Sequence, residues 1–404
     1  MKERLSEPAP VALRSAHWQV LEMPLVRPFT TSFGTERRRR VLLLTLTGQD
    51  GESGYSECVA GRDPYYSSED TVTVEHVFRR YLLPALARIA GAASPRRFLA
   101  EAERIRGNPM AKAWVEMALW DLGARSQGTP LSRLLGGTRR RIEVGVSVGI
   151  QRSPAELVRT VAQYRAQGYR RIKLKVEPGR DRIFVEAVRQ AFPEARLWID
   201  ANQAYRGEHV DSLARWVRDA RVELVEQPFP EDALRLAAGL ARRLPRGSLL
   251  CLDESIRTTE DLESALRLGA VGAVNVKPGR VGGLLCARAI HDLARDHGIP
   301  VWCGGMLETG IGRAHNLALA AGKNFLLPSD LSASDRYYAE DLIDPPFRLG
   351  PGSTLEVPRG AGIGVSPEPR RVRKYLRRES RWEFPRASLD PVGSARESSR
   401  ALRD

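Results

Sequence analysis

The sequence predicts an α/β protein built on a closed parallel barrel, and three observations carry that reading. First, Lys173 and Lys175, Asp200, Glu226, Asp253 and Lys277 each stand at or near the end of a short apolar run: RRIKLK, RLWID, VELVEQP, LLCLD and AVNVK. Second, from Lys175 onward these residues are 25, 26, 27 and 24 positions apart, a pitch of one strand plus one helix. Third, the segments between them, such as SPAELVRTVAQYRAQG and TEDLESALRLGA, open on a polar cap, repeat apolar residues at helical spacing and end on Gly. Charged side chains at the C-terminal ends of successive parallel strands are where a barrel keeps its chemistry.

Taken in order, residues 1–139 read as a separate α+β unit. HWQVLEMPL, RRVLLLTLTG and SGYSECV form a meander with Gly and Asp at the turns, followed by helices over roughly 68–90, 95–106 and 108–126. Residues 140–340 hold the barrel. IEVGVSVGI places Ser147 28 residues before Lys175, PVWCGGM ends a strand near Gly304, and NFLLPSD ends another near Asp330, making eight strand candidates. An open doubly wound sheet would need a Gly-rich phosphate turn after its first strand, and Ser147-Val148-Gly149-Ile150 is not one. Residues 341–369 are rich in Gly and Pro and pack back on the first unit. Residues 370–404 read as a basic, disordered tail.

At 404 residues the chain can bury two sizeable cores. No apolar run approaches the ~20 residues that span a bilayer, and MKERLSEPAPVALRS lacks the apolar segment of a secretory signal. Four scattered cysteines with no CxxC pair argue for reduced thiols and a cytoplasmic location. The net charge of +14 overstates any affinity for nucleic acid or membrane. Residues 370–404 alone hold eleven Lys/Arg against five Asp/Glu, a surplus of six, and the run Arg37-Arg38-Arg39-Arg40 reads as a solvated loop edge. A nucleic-acid or membrane partner is not expected.

The chemistry follows from the charges. Three carboxylates at adjacent strand ends repel unless a cation holds them, and isolated carboxylate oxygens suit Mg²⁺ or Mn²⁺ better than zinc. One such carboxylate could merely cap the next helix; three in consecutive units point to a metal site. A metal with open positions binds a substrate carboxylate and stabilises the charge left when its α-proton departs. A lysine takes that proton only when neutral. From a reference near ~10.4, half-neutrality at pH 7 needs a shift of roughly 3 units, about 4–5 kcal/mol, which burial beside cations supplies. Lys173 shares a strand face with Lys175 and favours Lys175 as the base. Lys277 arrives from the opposite side. A Schiff-base aldolase would also use a barrel lysine, but it needs no carboxylate trio.

The set KxK, D, E, D, K on a barrel with an N-terminal cap resembles the enolase superfamily, muconate-lactonising subgroup. The motifs IKLKVEPG, IDANQAY, VEQPF, CLDESI, VNVKPGRVGG, VWCGGMLETGIGRAHN and LPSDLSASDRYY resemble the o-succinylbenzoate synthase / N-succinylamino acid racemase family. The likeness covers about residues 15–368; the tail from about 370 has no counterpart. It implies a modified TIM barrel of (β/α)7β type, with an N-terminal α+β capping domain completed by a C-terminal segment. It also implies homo-oligomers (dimers or octamers) acting on small-molecule carboxylates.

Carried over residue by residue, the resemblance implies Asp200, Glu226 and Asp253 as Mg²⁺ ligands and Lys175 as base on one face. Lys277 becomes the acid/base on the other face, or a cation stacked on the intermediate. Lys173 tunes Lys175 and contacts the substrate carboxylate, and Glu254 stands behind the ligands. In the cap, TSFGT and AGRDPYYSS match two loops that close the pocket, so Phe33, Tyr65 and Tyr66 touch substrate. Ser147, Asn202, Gly304, Gly305, Met306 and Leu307 line the site for a succinyl arm, the two glycines admitting backbone N–H groups close to a ligand. Arg280, in KPGRVGG, is the residue that resembles racemase-competent members, and the resemblance implies that it contacts substrate. None of the six histidines ends a strand, unlike mandelate racemases. PSDLS holds one Asp in register where dipeptide epimerases carry Asp-x-Asp, which disfavours a substrate with a free amine. The activity implied is proton abstraction α to a carboxylate, giving an enediolate. It then serves dehydration to o-succinylbenzoate on the way to menaquinone, racemisation of N-succinylamino acids, or both.

Overall fold

The computed structural model describes residues 6–385. The chain opens with three antiparallel strands, β1 (Leu13–Thr31), β2 (Gly34–Gly48) and β3 (Ser53–Cys58). β1 and β2 run well past the apolar segments that announced them, pairing from Leu13/Gly48 out to Thr31/Gly34, so their hairpin tip reaches over the barrel. Helices α1 (Thr71–Val77) and α2 (Leu83–Arg88) are joined by one π turn. Asp70 caps α1 through hydrogen bonds from the Val72 and Thr73 amides. α3 (Pro95–Glu101), α4 (Pro109–Ser126) and α5 (Leu131–Leu134) complete the cap. α4 is buried along nearly its whole length, against the strands and against the barrel, so it has no amphipathic stripe and buries Glu116 and Asp121 along with its apolar residues.

β4 (Arg141–Glu143) leads into the barrel. Its strands and helices alternate as β5 (Gly145–Val148), α6 (Pro154–Ala166), β6 (Arg171–Lys175), α7 (Arg182–Ala191), β7 (Arg196–Asp200), α8 (Val210–Asp219) and β8 (Leu224–Glu226). They continue as α9 (Leu234–Ala241), β9 (Leu249–Leu252), α10 (Thr259–Leu268), β10 (Ala273–Val276), α11 (Leu284–Asp296), β11 (Val301–Cys303) and α12 (Gly310–Ala320). Seven strands form one curled parallel sheet in the order β11, β10, β9, β8, β7, β6, β5. The eighth candidate, NFLLPSD, is no regular strand, but it bridges both edges: Phe325 pairs with Val301 and Ser329 with Val144. The Asp330 amide donates to Cys303 O, and the Gly145 amide to Ser329 O. Pro328 has no amide to donate within this seam, and the Leu326 amide turns back to Asn324 O.

Because strand side chains alternate, one set from every strand points into the barrel. The lower interior layer packs Arg171 against Trp198 and Trp302, at 4.5 and 5.9 Å from their ring centres. Gly145 makes room for it, since a Cβ there would stand 2.2 Å from the Arg171 guanidinium carbon. The next layer toward the C-terminal ends is charged, and that layer is the site.

Beyond the barrel, β12 (Thr354–Glu356) pairs with β4, and the Ile363 amide donates to Asp121 on α4. The tail departs from expectation. Residues 370–404 were expected to be disordered, yet α13 (Pro369–Tyr375) and β13 (Leu376–Glu383) are regular, and β13 pairs antiparallel with β1. An edge strand needs backbone partners rather than a core, so its charged composition hid it. Arg378 pairs with Glu75, Lys374 with Glu340, and Phe384 is buried. The remainder of that stretch lies outside the described residues. None of the described helices is long and apolar enough to cross a membrane.

Candidate active site

A cavity of about 500 Å³ opens between the C-terminal ends of the barrel strands and the cap. The barrel contributes Ser147, Lys173, Lys175, Asp200, Asn202, Lys277, Gly305, Met306, Leu307 and Asp330 to its walls; the cap contributes Phe33, Tyr65 and Tyr66. Glu226, Asp253, Glu254, Arg280 and Gly304 do not line it. The four charged side chains among them lie beneath its floor, each at most 4% exposed.

β6 delivers Lys173 and Lys175 to the same face, two residues apart. The Lys175 ammonium sits 2.6 Å from Asp200 Oδ2 and 2.6 Å from Asn202 Oδ1. Lys173 is buried deeper, with its Nζ 2.5 Å from Glu226 Oε2, 3.0 Å from Asp200 Oδ2 and 2.6 Å from Asp330 Oδ2. Asp200 and Glu226 are register partners on β7 and β8, so strand pairing alone sets them side by side. Asn275 Nδ2 donates to the second Glu226 oxygen at 2.7 Å. Across the barrel mouth, Lys277 stands 2.7 Å from Asp253 Oδ2 and 3.1 Å from the Tyr66 hydroxyl. Tyr66 lies 3.3 Å from both Asp253 oxygens, tying the cap to the floor. Ser32 Oγ donates to the Ala201 and Asn202 carbonyls, which seats the β1–β2 tip on the end of β7.

The loops after the strands hold backbone that most residues avoid. Asn202, Gln203, Gln227 and Leu307 all have positive φ (41°, 69°, 36° and 60°), and such left-handed residues cluster where a site over-determines its geometry.

The electrostatics differ from the expectation for a basic lysine. Burial alone would push Lys173 and Lys277 down. The Asp330, Glu226 and Asp200 carboxylates outweigh it at Lys173, and Asp253 does so at Lys277, holding both ammonium groups well above the usual lysine range. Glu226 is pushed up by burial and by the neighbouring Asp200 and Asp253 charges, against the pull of Lys173. Burial and Asp253 likewise push Glu254 up, to about 7. Burial would raise Asp200 as well, but Lys175 and Lys173 hold its carboxyl well below the usual range, so the cations relieve the buried negative charge unevenly.

Two sequence expectations need correction. Gly304 does not offer its amide to a ligand, because that amide donates to Val276 O. A Cβ at Gly304 would lie 2.3 Å from Asn275 Oδ1 and 2.5 Å from Lys277 Cε, so its missing side chain makes room for those two. Arg280 does not face the cavity either. It donates to the Ile256 and Asn275 carbonyls and stands 3.1 Å from Asp253 Oδ1, behind the floor.

Sequence reasoning missed three parts of the site. Asp330 bridges Lys173 and Arg171; it stood at a strand end, but the position of its partner across the seam is not written locally. Asn275 sits one alternation before Lys277, a signal that period-2 reading could have used. The arginine run is no loop edge: it lies within β2, where Arg37, Arg38 and Arg39 border the cavity. Arg39 is buried and donates to Val59 O.

A family profile described as mandelate racemase / muconate lactonizing enzyme, N-terminal domain, matches residues 16–136, and one described as enolase C-terminal domain-like matches 156–371. The chain is 44% identical over 355 residues to an o-succinylbenzoate synthase of Geobacillus stearothermophilus, covering 88% of this chain and 93% of that protein. It is 47% identical over 352 residues to an N-succinylamino acid racemase of an Amycolatopsis species, covering 86% and 93%. The chain belongs to the o-succinylbenzoate synthase / N-succinylamino acid racemase family of the enolase superfamily. This family joins lyases and isomerases on one scaffold. A crystal structure of an enolase superfamily member from Listeria innocua superposes with a TM-score of 0.87 at 38% identity, over 93% of this chain and all of that one.

Proposed function

We propose that this enzyme abstracts the proton α to a substrate carboxylate with the help of Mg²⁺, and that its principal reaction is o-succinylbenzoate synthesis. That reaction dehydrates 2-succinyl-6-hydroxy-2,4-cyclohexadiene-1-carboxylate. The observation that carries this reading is the opposition of Lys175 and Lys277 across one cavity, with buried carboxylates between and beneath them.

The residues present fit a hard dication. Asp200, Glu226 and Asp253 are buried carboxylates at three successive strand ends with no histidine among them. Among the described residues no three His, Cys, Asp or Glu side chains already converge on one point; lysine ammonium groups hold them instead. When bound, Mg²⁺ would supply the positive charge that favours neutral lysine nearby and an enediolate in the substrate.

The chain's own groups do the rest. Lys173, kept cationic by Asp330, Glu226 and Asp200, is suited to pair with the substrate carboxylate. Lys175 takes the α-proton on its nitrogen, leaving the electron pair in the enediolate. In the dehydration the β-hydroxyl then departs as water, taking a proton from the ammonium. In racemisation Lys277 returns a proton to the opposite face. Phe33, Tyr65 and Tyr66 wall the cavity from the cap.

N-Succinylamino acid racemisation is the second reading, supported by the presence of a lysine on each side. A dipeptide epimerase is disfavoured because Asp330 is engaged by Arg171 and Lys173 rather than free for an α-ammonium. The test uses purified protein, Mg²⁺ and N-succinyl-L-phenylalanine in D₂O, following the α-proton by NMR and the optical rotation together. Exchange with loss of rotation establishes racemisation; exchange with rotation retained favours the dehydratase. No exchange, together with no turnover of the cyclohexadiene substrate, would reject the α-proton chemistry.

A further inference from the structure

β2 carries four consecutive arginines, and its alternation sorts them. Val41 and Leu43 join the core shared with the barrel, while Leu42, Leu44 and Leu46 join the cap's own core. Arg37 and Arg39 continue the first of these faces, and Arg38 and Arg40 the second. Among the described residues seven cationic side chains border the cavity, and six of them are engaged. Lys173, Lys175 and Lys277 hold the floor carboxylates. Arg39 is buried, 3.3 Å from Glu36 and bonded to Val59 O. Arg38 and Arg62 are drawn to Glu22, at 3.9 and 4.0 Å. Arg37 remains: it is exposed, it borders the cavity, and its side chain has no ion pair or hydrogen bond among the described residues.

Both substrates considered above are dianions. Lys173 is suited to the carboxylate beside the reacting carbon, which leaves the carboxylate at the far end of the succinyl arm without a cation. Much of the wall on the cap side is aromatic, through Phe29, Phe33, Tyr65 and Tyr66, and offers that charge nothing. Resting on the α-proton reading above, we propose that Arg37 is a specificity-determining residue that pairs with the distal carboxylate. A guanidinium presents two parallel N–H donors to a carboxylate. Arg37 acts far from the reacting carbon, so its contribution belongs to binding and falls on KM rather than kcat.

The test uses the full-length protein with Mg²⁺. By calorimetry the native protein should bind o-succinylbenzoate about 10-fold or more tighter than 2-butyrylbenzoate, which lacks the distal charge, the scale of a charge-assisted hydrogen bond. Arg37→Gln should weaken o-succinylbenzoate by the same factor and leave 2-butyrylbenzoate unchanged, and Arg37→Lys should recover part of the loss. Salt should shrink the native preference. In α-proton exchange the KM for N-succinyl-L-phenylalanine should rise in Arg37→Gln, and that for N-butyryl-L-phenylalanine should not. Equal weakening of both benzoates would make Arg37 a structural residue and overturn the proposal, as would an unchanged affinity for o-succinylbenzoate. Asp63 is the lining carboxylate without an ion pair among the described residues; tighter binding of an analogue whose arm ends in an amine would assign the subsite to it and overturn the proposal too. Calorimetry needs no turnover, so Arg37-dependent binding without exchange or dehydration would reject the reaction while keeping the subsite.

Discussion

Asp330 holds Lys173 with one carboxylate oxygen, at 2.6 Å, and Arg171 with the other, at 2.5 Å. The seam segment thus neutralises two cations of β6 that lie in successive interior layers. The charge it supplies is buried, so water cannot replace it. Asp330→Asn should destabilise the fold by about 3–5 kcal/mol, the usual cost of leaving a buried charge unpaired, read from urea unfolding. A loss below about 1 kcal/mol would show that the remaining carboxylates compensate.

Lys175 and Lys277 approach the cavity from β6 and β10. Each Lys→Ala variant should lose racemisation by at least about 100-fold, the lower end of what a positioned base contributes. Each should still exchange the α-proton of one enantiomer, and the two variants should prefer opposite enantiomers. If both variants exchange the same enantiomer, the two lysines do not work on opposite faces.

Chelation should abolish turnover, and Mg²⁺ or Mn²⁺ should restore it. Mg²⁺ should also raise the melting temperature of the native protein, because a ligand that binds only the folded state stabilises it. Asp253→Asn should remove most of that thermal response. A variant that melts higher with Mg²⁺ by as much as the native protein would place the ion elsewhere.

Burial pushes the Glu57 carboxyl up to about 7, despite hydrogen bonds from Thr309 and Gly312. A folded-state value raised above the ordinary 4.5 contributes stability in full below about 4.5, and that contribution is lost as pH rises through about 7. Glu116, also about 7, and Asp121, about 6, act in the same direction. His315, pushed down by burial to about 4, acts oppositely: its contribution is present above about 6.5 and lost as pH falls toward 4. With Glu254 and Glu226 also raised, the raised carboxyls outnumber the one lowered histidine, and the melting temperature should fall between pH 5 and 8. Glu57→Gln should flatten that slope, because a shift of this size corresponds to about 3 kcal/mol. An unchanged slope would remove Glu57 from the account.

Much of the barrel was legible because its signals are local. A strand end, a cap residue and a helix period each lie within a dozen residues, and their repetition at a steady pitch leaves few alternatives to a barrel. The lysines and carboxylates were legible for the same reason: period-2 alternation sends Lys173, Lys175, Asp200 and Glu226 to the interior face without reference to anything distant. The eighth strand was less regular than NFLLPSD suggests: Pro328 has no amide to donate, and the Leu326 amide turns back to Asn324 O.

The chain alone determined which residues could do chemistry and on which face of which strand they stand, because backbone periodicity is a short-range property. Tertiary structure decided what those residues touch. Asp330 meets Arg171 only when the barrel closes, and Arg280 turns to Asp253 rather than to the cavity because the Ile256 and Asn275 carbonyls hold it there. β13 finds β1 across more than 350 residues through backbone hydrogen bonds, which carry no side-chain pattern for a sequence to display.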